Sequence, residues 1–194
     1  MIFLIGGAPR VGKSTIAKQF ARSIKGRFAS SDELEMPPEF SVAFYSDARK
    51  NTLTPQERMQ CVIDEAKQVV GAISDIIRRA ENCDQDTVIE GVHLLPIHVA
   101  GFIENFGAEN IRSIFIGSTN IEAILQGVAQ NTSPSNWSKG FETKVLTQIA
   151  QFTQFFSRYL YDGTKKCNLI YRERSSNFQK DVIDIIAELT SPKE

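Results

Sequence analysis

Apolar residues gather into five short runs, and longer amphipathic stretches separate them. The first run, Ile2-Phe3-Leu4-Ile5, is continuous rather than alternating, which predicts a central parallel strand buried on both faces. Four more short runs read as strands: 27–30, 87–90, 113–116 and 168–171. Between them the period becomes helical. A helix over 13–24 places Ile16, Ala17, Phe20, Ala21 and Ile24 on one side, and Gly26 stands where a C′ glycine would end it. Thr54, Pro55 and Glu57 supply an N-cap, an N1 proline and a capping box for a helix reaching Arg79. Its apolar stripe is Met59, Val62, Ile63, Ala66, Val69, Val70, Ile73, Ile76 and Ile77. Further helices are expected over 96–107, 120–130, 141–160 and 177–189.

Strands that alternate with helices imply right-handed βα units and a parallel sheet covered on both faces, an α/β fold. No repeat or linker divides residues 1–194, so one domain is expected. Residues 33–53 and 131–140 follow neither period. Uncovered segments of that length commonly act as lids, and the second is read as extending to residue 146.

The junction of the first strand and first helix carries chemistry. Residues 7–14 read Gly-Ala-Pro-Arg-Val-Gly-Lys-Ser, the pattern G-x-x-x-x-G-K-[ST] between a strand and a helix. Such a loop turns its backbone N–H groups toward one point, and the helix adds its positive end. Gly7, Ala8, Pro9, Arg10, Val11, Gly12, Lys13, Ser14 and Thr15 are therefore the expected nucleotide-phosphate cradle. Lys13 suits the β- and γ-phosphates, and Ser14 suits Mg²⁺.

In open α/β sheets ligands sit beyond the carboxyl ends of the strands. Asp32 follows the second strand, where it suits a general base. Glu90 ends the third, where a carboxylate suits Mg²⁺. His93 follows as a residue for the acceptor, while His98 is read as packed. Cations for a transferring phosphoryl group are sought in Lys139, Lys144, Arg158, Arg172 and Arg174. Arg49 and Arg58 flank the first lid and suit an anionic group on an acceptor.

Composition narrows the partners. There are 22 basic and 23 acidic residues, a net charge of −1, which favours a small ligand over nucleic acid or an anionic membrane. Cys61, Cys83 and Cys167 lie far apart with no metal or redox spacing, and Cys61 and Cys167 read as small core residues. The opening Met-Ile-Phe-Leu-Ile-Gly-Gly lacks the basic region of a secretory signal, and no apolar stretch approaches a membrane span. A cytoplasmic location is expected.

The loop at 6–15 and Ser30-Ser31-Asp32 resemble the P-loop small-molecule kinases, the nucleoside-monophosphate-kinase-like branch of the P-loop fold. Within that branch, Val-Ile-Glu-Gly-Val-His-Leu-Leu-Pro at 88–96 is similar to a segment of 2-phosphoglycerate kinases. The resemblance implies a five-stranded parallel sheet in the order 2-3-1-4-5, ATP as donor and Mg²⁺ as metal. It assigns phosphate and metal to Lys13 and Ser14, the acceptor hydroxyl to Asp32, and the neighbourhood of the metal to Glu90. The sequence departs from the branch at Arg10, where a glycine is common, and in residues 127–146, which contain no arginine. Three functions fit. One is an ATP-dependent kinase for a hydroxyl of a small metabolite, including phosphorylated ones such as a glycerate or sugar phosphate. The others are a nucleoside or nucleotide kinase, with Phe40, Phe44 and Tyr45 stacking on a base, and a nucleotide-binding regulatory module.

Overall fold

The computed structural model describes residues 1–34, 53–129 and 140–191. Five parallel strands form one sheet: β1 (Ile2–Gly7), β2 (Arg27–Ser30), β3 (Thr87–Gly91), β4 (Ile111–Gly117) and β5 (Tyr171–Glu173). Their spatial order is β2-β3-β1-β4-β5, with helices on both sides. β1 lies between β3 and β4, pairing Ile5 with Glu90 and with Ile114. That central position explains its unbroken apolar run, since all six residues are buried. Burying each such aliphatic side chain stabilises the fold by about 1.5–3 kcal/mol.

Six helices are described: α1 (Lys13–Ser23), α2 (Pro55–Glu81), α3 (Pro96–Phe106), α4 (Ile121–Ala129), α5 (Thr143–Lys166) and α6 (Phe178–Thr190). The start of α2 follows its sequence signals. Thr54 Oγ1 accepts from the Glu57 N–H, and the Glu57 carboxylate accepts from the Thr54 N–H at 2.7 Å. The stripe of α2 buries Met59, Val62, Ala66, Val69, Ile73 and Ile77 in the main core.

Three expectations are corrected by helix ends and pairing. Lys25, not Gly26, takes the left-handed conformation after α1, with φ of 52°. Gly26 occupies the next position, where its N–H donates to Ala21 O at 2.8 Å, the long-range bond of a Schellman cap. The same cap displaces the fifth strand. α5 runs six residues past 160, Asn168 turns left-handed at φ 52°, and Leu169 N–H donates to Thr164 O. The apolar run 168–171 is thus largely spent on the cap, and β5 begins only at Tyr171. β4 begins two residues early, at Ile111, which pairs with Ile2. Arg112 interrupts that run without ending the strand, because its guanidinium donates to Leu189 O and Ser191 O.

Cys61 and Cys167 are half-buried and Cys83 is exposed, so neither of the first two is a fully buried core residue. Among the described residues no helix is long and apolar enough to cross a membrane. His98 on α3 is half-buried, and that desolvation holds its pKa below the ordinary 6.5. A base whose pKa falls on folding favours the unfolded chain when protonated. Its destabilising effect therefore begins as pH falls through the unfolded value of 6.5 and grows until the folded value is passed. His98→Gln is expected to flatten that part of the stability profile, seen as a smaller fall in Tm between pH 7.5 and 5.5 than in the wild type.

Candidate active site

The glycine loop leaves β1 and enters α1 as its pattern requires. Gly12 is the N-cap of α1 at φ 87°, a left-handed conformation that carries no side chain to cap the helix. α1 has no acidic residue in its first turn, so its positive end is offset by nothing on its own helix. A Cβ on Gly12 would lie 2.5 Å from the Phe178 ring, so α6 closes directly over the loop. The Arg174 guanidinium lies 5.0 Å from the centroid of that ring. Arg10 is also left-handed, at φ 66°. That explains why a glycine is at home there, since an L residue in this region carries about 1–2 kcal/mol of strain. Thr153 of α5 also reaches the loop, its hydroxyl shared between Ile149 O at 2.9 Å and Pro9 O at 3.1 Å.

Lys13 joins the loop to the strand ends. Its side chain is only 6% exposed, and Nζ lies 3.0 Å from Glu90 Oε2 and 3.8 Å from Asp32 Oδ2. Glu90 is buried at the end of β3, and Ser30 Oγ donates to its Oε1 at 2.8 Å. Oε2 holds Lys13 by charge and has no aligned hydrogen bond among the described residues. Ser30 sits opposite Glu90 because β2 pairs with β3 in that register. Ser30 also caps the short turn Ser31–Glu33, accepting from the Asp32 N–H.

That turn aims Asp32 toward β3. Asp32 Oδ1 accepts from the Val92 N–H at 3.2 Å, while the side chain remains 35% exposed. His93 is buried, with Nδ1 3.3 Å from Ser31 Oγ and 3.9 Å from Asp32 Oδ1. Its Nε2 lies 3.5 Å from Oε2 of Glu65, a buried acid on α2. Gly91 makes this closeness possible. A Cβ there would fall 1.6 Å from Ser31 Oγ and 3.1 Å from Asp32 Oδ1. Gly91→Ala is therefore expected to push the Ser31–Asp32 turn away from β3. Overpacking of this kind costs about 1–3 kcal/mol, readable as a lower urea midpoint together with a loss of any activity that depends on Asp32.

The structure brings Lys13, Asp32, Glu90 and His93 to one edge of the sheet, with Ser14 half-buried and Thr15 exposed in the first turn of α1. Arg58 is buried at the start of α2 and its Nε donates to Leu53 O at 3.2 Å. Arg158 is exposed on α5, one residue beyond Ser157, whose Oγ accepts from the Ser118 N–H. Arg49 and Lys139 lie outside the described residues, as do the aromatics of the first lid. Ser30 and Ser31 were singled out in the sequence only as part of the Ser30-Ser31-Asp32 motif, without a role of their own, and Glu65 and Thr153 were not singled out at all. Glu65 and Thr153 were detectable as polar positions interrupting buried stripes, between Val62 and Val69 on α2 and between Ile149 and Phe156 on α5.

A cavity of about 250 Å³ adjoins the loop, lined by Val11, Arg174, Ser175, Phe178 and Asp181 among others. A larger one, about 320 Å³, lies by Ile111 and Leu189, at the start of β4 and away from the glycine loop. The loop fits a nucleotide's phosphates and its metal by its donor set: an uncapped helix start, a buried ammonium, the Ser14 hydroxyl and the Glu90 carboxylate.

No family model matches the sequence, and comparison with curated proteins yields no match. Solved structures do match in fold. A gluconokinase from Sinorhizobium meliloti 1021 superposes with a TM-score of 0.58 at 14% identity, covering 96% of this chain and 90% of that one. A shikimate kinase from Bacteroides thetaiotaomicron gives 0.52 at 12%, covering 97% of both chains. A deoxyadenosine kinase from M. mycoides gives 0.50 at 13%, covering 97% and 98%. The chain has the five-stranded fold of these P-loop kinases.

Proposed function

We propose that this protein, as one domain over residues 1–194, is an ATP-dependent kinase transferring the γ-phosphoryl group to a hydroxyl of a small metabolite. The acceptors favoured include phosphorylated ones such as a glycerate or sugar phosphate. The observation that carries the reading is Lys13, held at the start of α1 between two carboxylates from neighbouring strand ends, Glu90 and Asp32. A phosphate cradle alone would suit any nucleotide-binding protein. A cradle with a half-exposed carboxylate 3.8 Å from its lysine also offers a base to an incoming hydroxyl.

In this reading the loop amides and Lys13 would bind the β- and γ-phosphates, and Ser14 and Glu90 would hold Mg²⁺. The metal would supply neutralisation of charge on the phosphates. Asp32 orients the acceptor hydroxyl and takes its proton. The cavity between the loop and α6 is the space offered to the base, with Arg174 and Ser175 on its wall. Arg49 and Arg58 are the proposed anion contacts of the acceptor, and Lys139 and Arg158 the cations serving the arginine-free second lid. A cytoplasmic location and a small-molecule partner rather than nucleic acid or membrane accompany this reading.

The shared fold with a deoxyadenosine kinase supports a second reading, a nucleoside or nucleotide kinase. A coupled ADP-release assay with ATP and Mg²⁺ separates them, run against polyols, sugar and glycerate phosphates, and nucleosides. ADP release dependent on a polyol, sugar or glycerate class is the expected result, and dependence on nucleosides favours the second reading. ATP binding without transfer to any class overturns both in favour of a regulatory module.

A further inference from the structure

Glu65 is a poor residue for its place in the core. It lies on the buried stripe of α2 between Val62 and Val69, where an aliphatic side chain would pack without desolvating a charge. Its Oε1 has no hydrogen-bond donor among the described residues, and its Oε2 faces only His93 Nε2, at 3.5 Å. The other ring nitrogen of His93 faces Ser31 Oγ at 3.3 Å, and Ser31 Oγ lies 3.5 Å from Asp32 Oδ1. Four side chains from α2, the β2 turn and the β3 turn thus form one line that ends at Asp32.

We propose that Ser31, His93 and Glu65 are positioning residues that act through Asp32, forming a relay that removes the proton Asp32 takes from the acceptor. The proposal rests on the phosphotransfer reading above. At rest the Glu65 carboxylate accepts the Nε2–H of His93, so Nδ1 is bare and accepts the Ser31 hydroxyl proton. Asp32 Oδ1 meanwhile accepts from the Val92 N–H. In the transfer an acceptor-oxygen-to-phosphorus bond forms. The bond from the γ-phosphorus to the bridging oxygen breaks, ADP leaves with that electron pair, and the acceptor's proton passes to Asp32. The Asp32 O–H then donates to Ser31 Oγ while the Ser31 proton crosses to His93 Nδ1. One O–H bond is lost at Asp32, one N–H bond is gained at His93, and Ser31 is unchanged. Asp32 is again a carboxylate, and the imidazolium rests between Glu65 and Asp32 until the product leaves, when the proton returns along the same line to Asp32, which is 35% exposed, and passes to water. This gives the buried charge on Glu65 a purpose that packing does not, because a neutral side chain there would leave the imidazolium unpaired.

The test has two arms. The protein has two histidines, so ¹⁵N-histidine labelling with His98→Gln for assignment reads the His93 ring without turnover. The expected spectrum has a protonated Nε2 and a bare Nδ1; a protonated Nδ1 at rest overturns the relay. The second arm measures ATP turnover, with the acceptor found in the panel or with water, beside binding of the fluorescent analogue mant-ATP. Glu65→Gln keeps the shape of the acid and is expected to lower turnover about tenfold with mant-ATP affinity unchanged. In an Asp32→Asn background the same change is expected to cost less than about twofold, since a relay has nothing to carry without its proton donor. An equal loss in both backgrounds marks a merely structural role and overturns the proposal. Absence of mant-ATP binding by the wild type sinks the phosphotransfer reading itself, whereas mant-ATP binding with a protonated Nδ1 sinks the relay alone.

Discussion

Lys13→Ala is expected both to destabilise the protein and to stop phosphoryl transfer, and the two effects are separable. The Lys13 ammonium and the Glu90 carboxylate lie 3.0 Å apart with side chains 6% and 2% exposed. Removing one partner of a buried pair strands the other charge, at a cost of about 3–5 kcal/mol. A domain of this kind has only about 5–15 kcal/mol to lose. Among the described residues Ser30 is the remaining donor to Glu90, at Oε1, and it cannot neutralise a charge. Adding Glu90→Gln to Lys13→Ala removes the stranded charge, so the double variant is expected to regain most of the lost stability in urea denaturation. It should not regain activity. Loss of one preorganised donor to a developing charge typically costs about 10²–10³ in rate, and the amide restores none of it. A single Lys13→Ala variant as stable as the wild type would show that the pair does not hold the loop to β3. A double variant with restored turnover would remove Lys13 from the phosphate site.

The fold was legible wherever one residue type had one job. β1 reads as central because every residue in it is buried, and α2 starts where its capping box says. The sequence misled where one apolar run served two purposes. Residues 168–171 look like a strand, yet Asn168 and Leu169 complete the cap of α5, a role that is invisible until the length of the helix is known. The candidate site followed the same logic. That Lys13, Asp32 and Glu90 would meet was legible because the topology brings strand ends together, whatever the details of packing. Glu65 and Thr153 showed only as polar breaks in buried stripes, with nothing to say what they meet, because each sits on a helix far along the chain and reaches the site through tertiary packing, at His93 and at Pro9.

Asp32→Asn is expected to lower transfer to the true acceptor by about 10²–10⁴, the range over which a positioned general base contributes. The substitution isolates proton acceptance from geometry. Asp32 Oδ1 accepts from the Val92 N–H, and an amide oxygen can do the same, so the turn should hold its shape. The amide cannot take a proton from a hydroxyl near neutral pH. Nucleotide affinity should change little, because Asp32 Oδ2 stands 3.8 Å from Lys13 Nζ and Glu90, at 3.0 Å, is that lysine's nearer partner. The signature is thus a fall in kcat with mant-ATP affinity held within about threefold, the pattern of an interaction that matters in the transition state alone. Full activity in the variant would remove Asp32 as the base. A matched loss of nucleotide affinity would instead make Asp32 part of the phosphate cradle, through Lys13, and would return the acceptor's proton to bulk water.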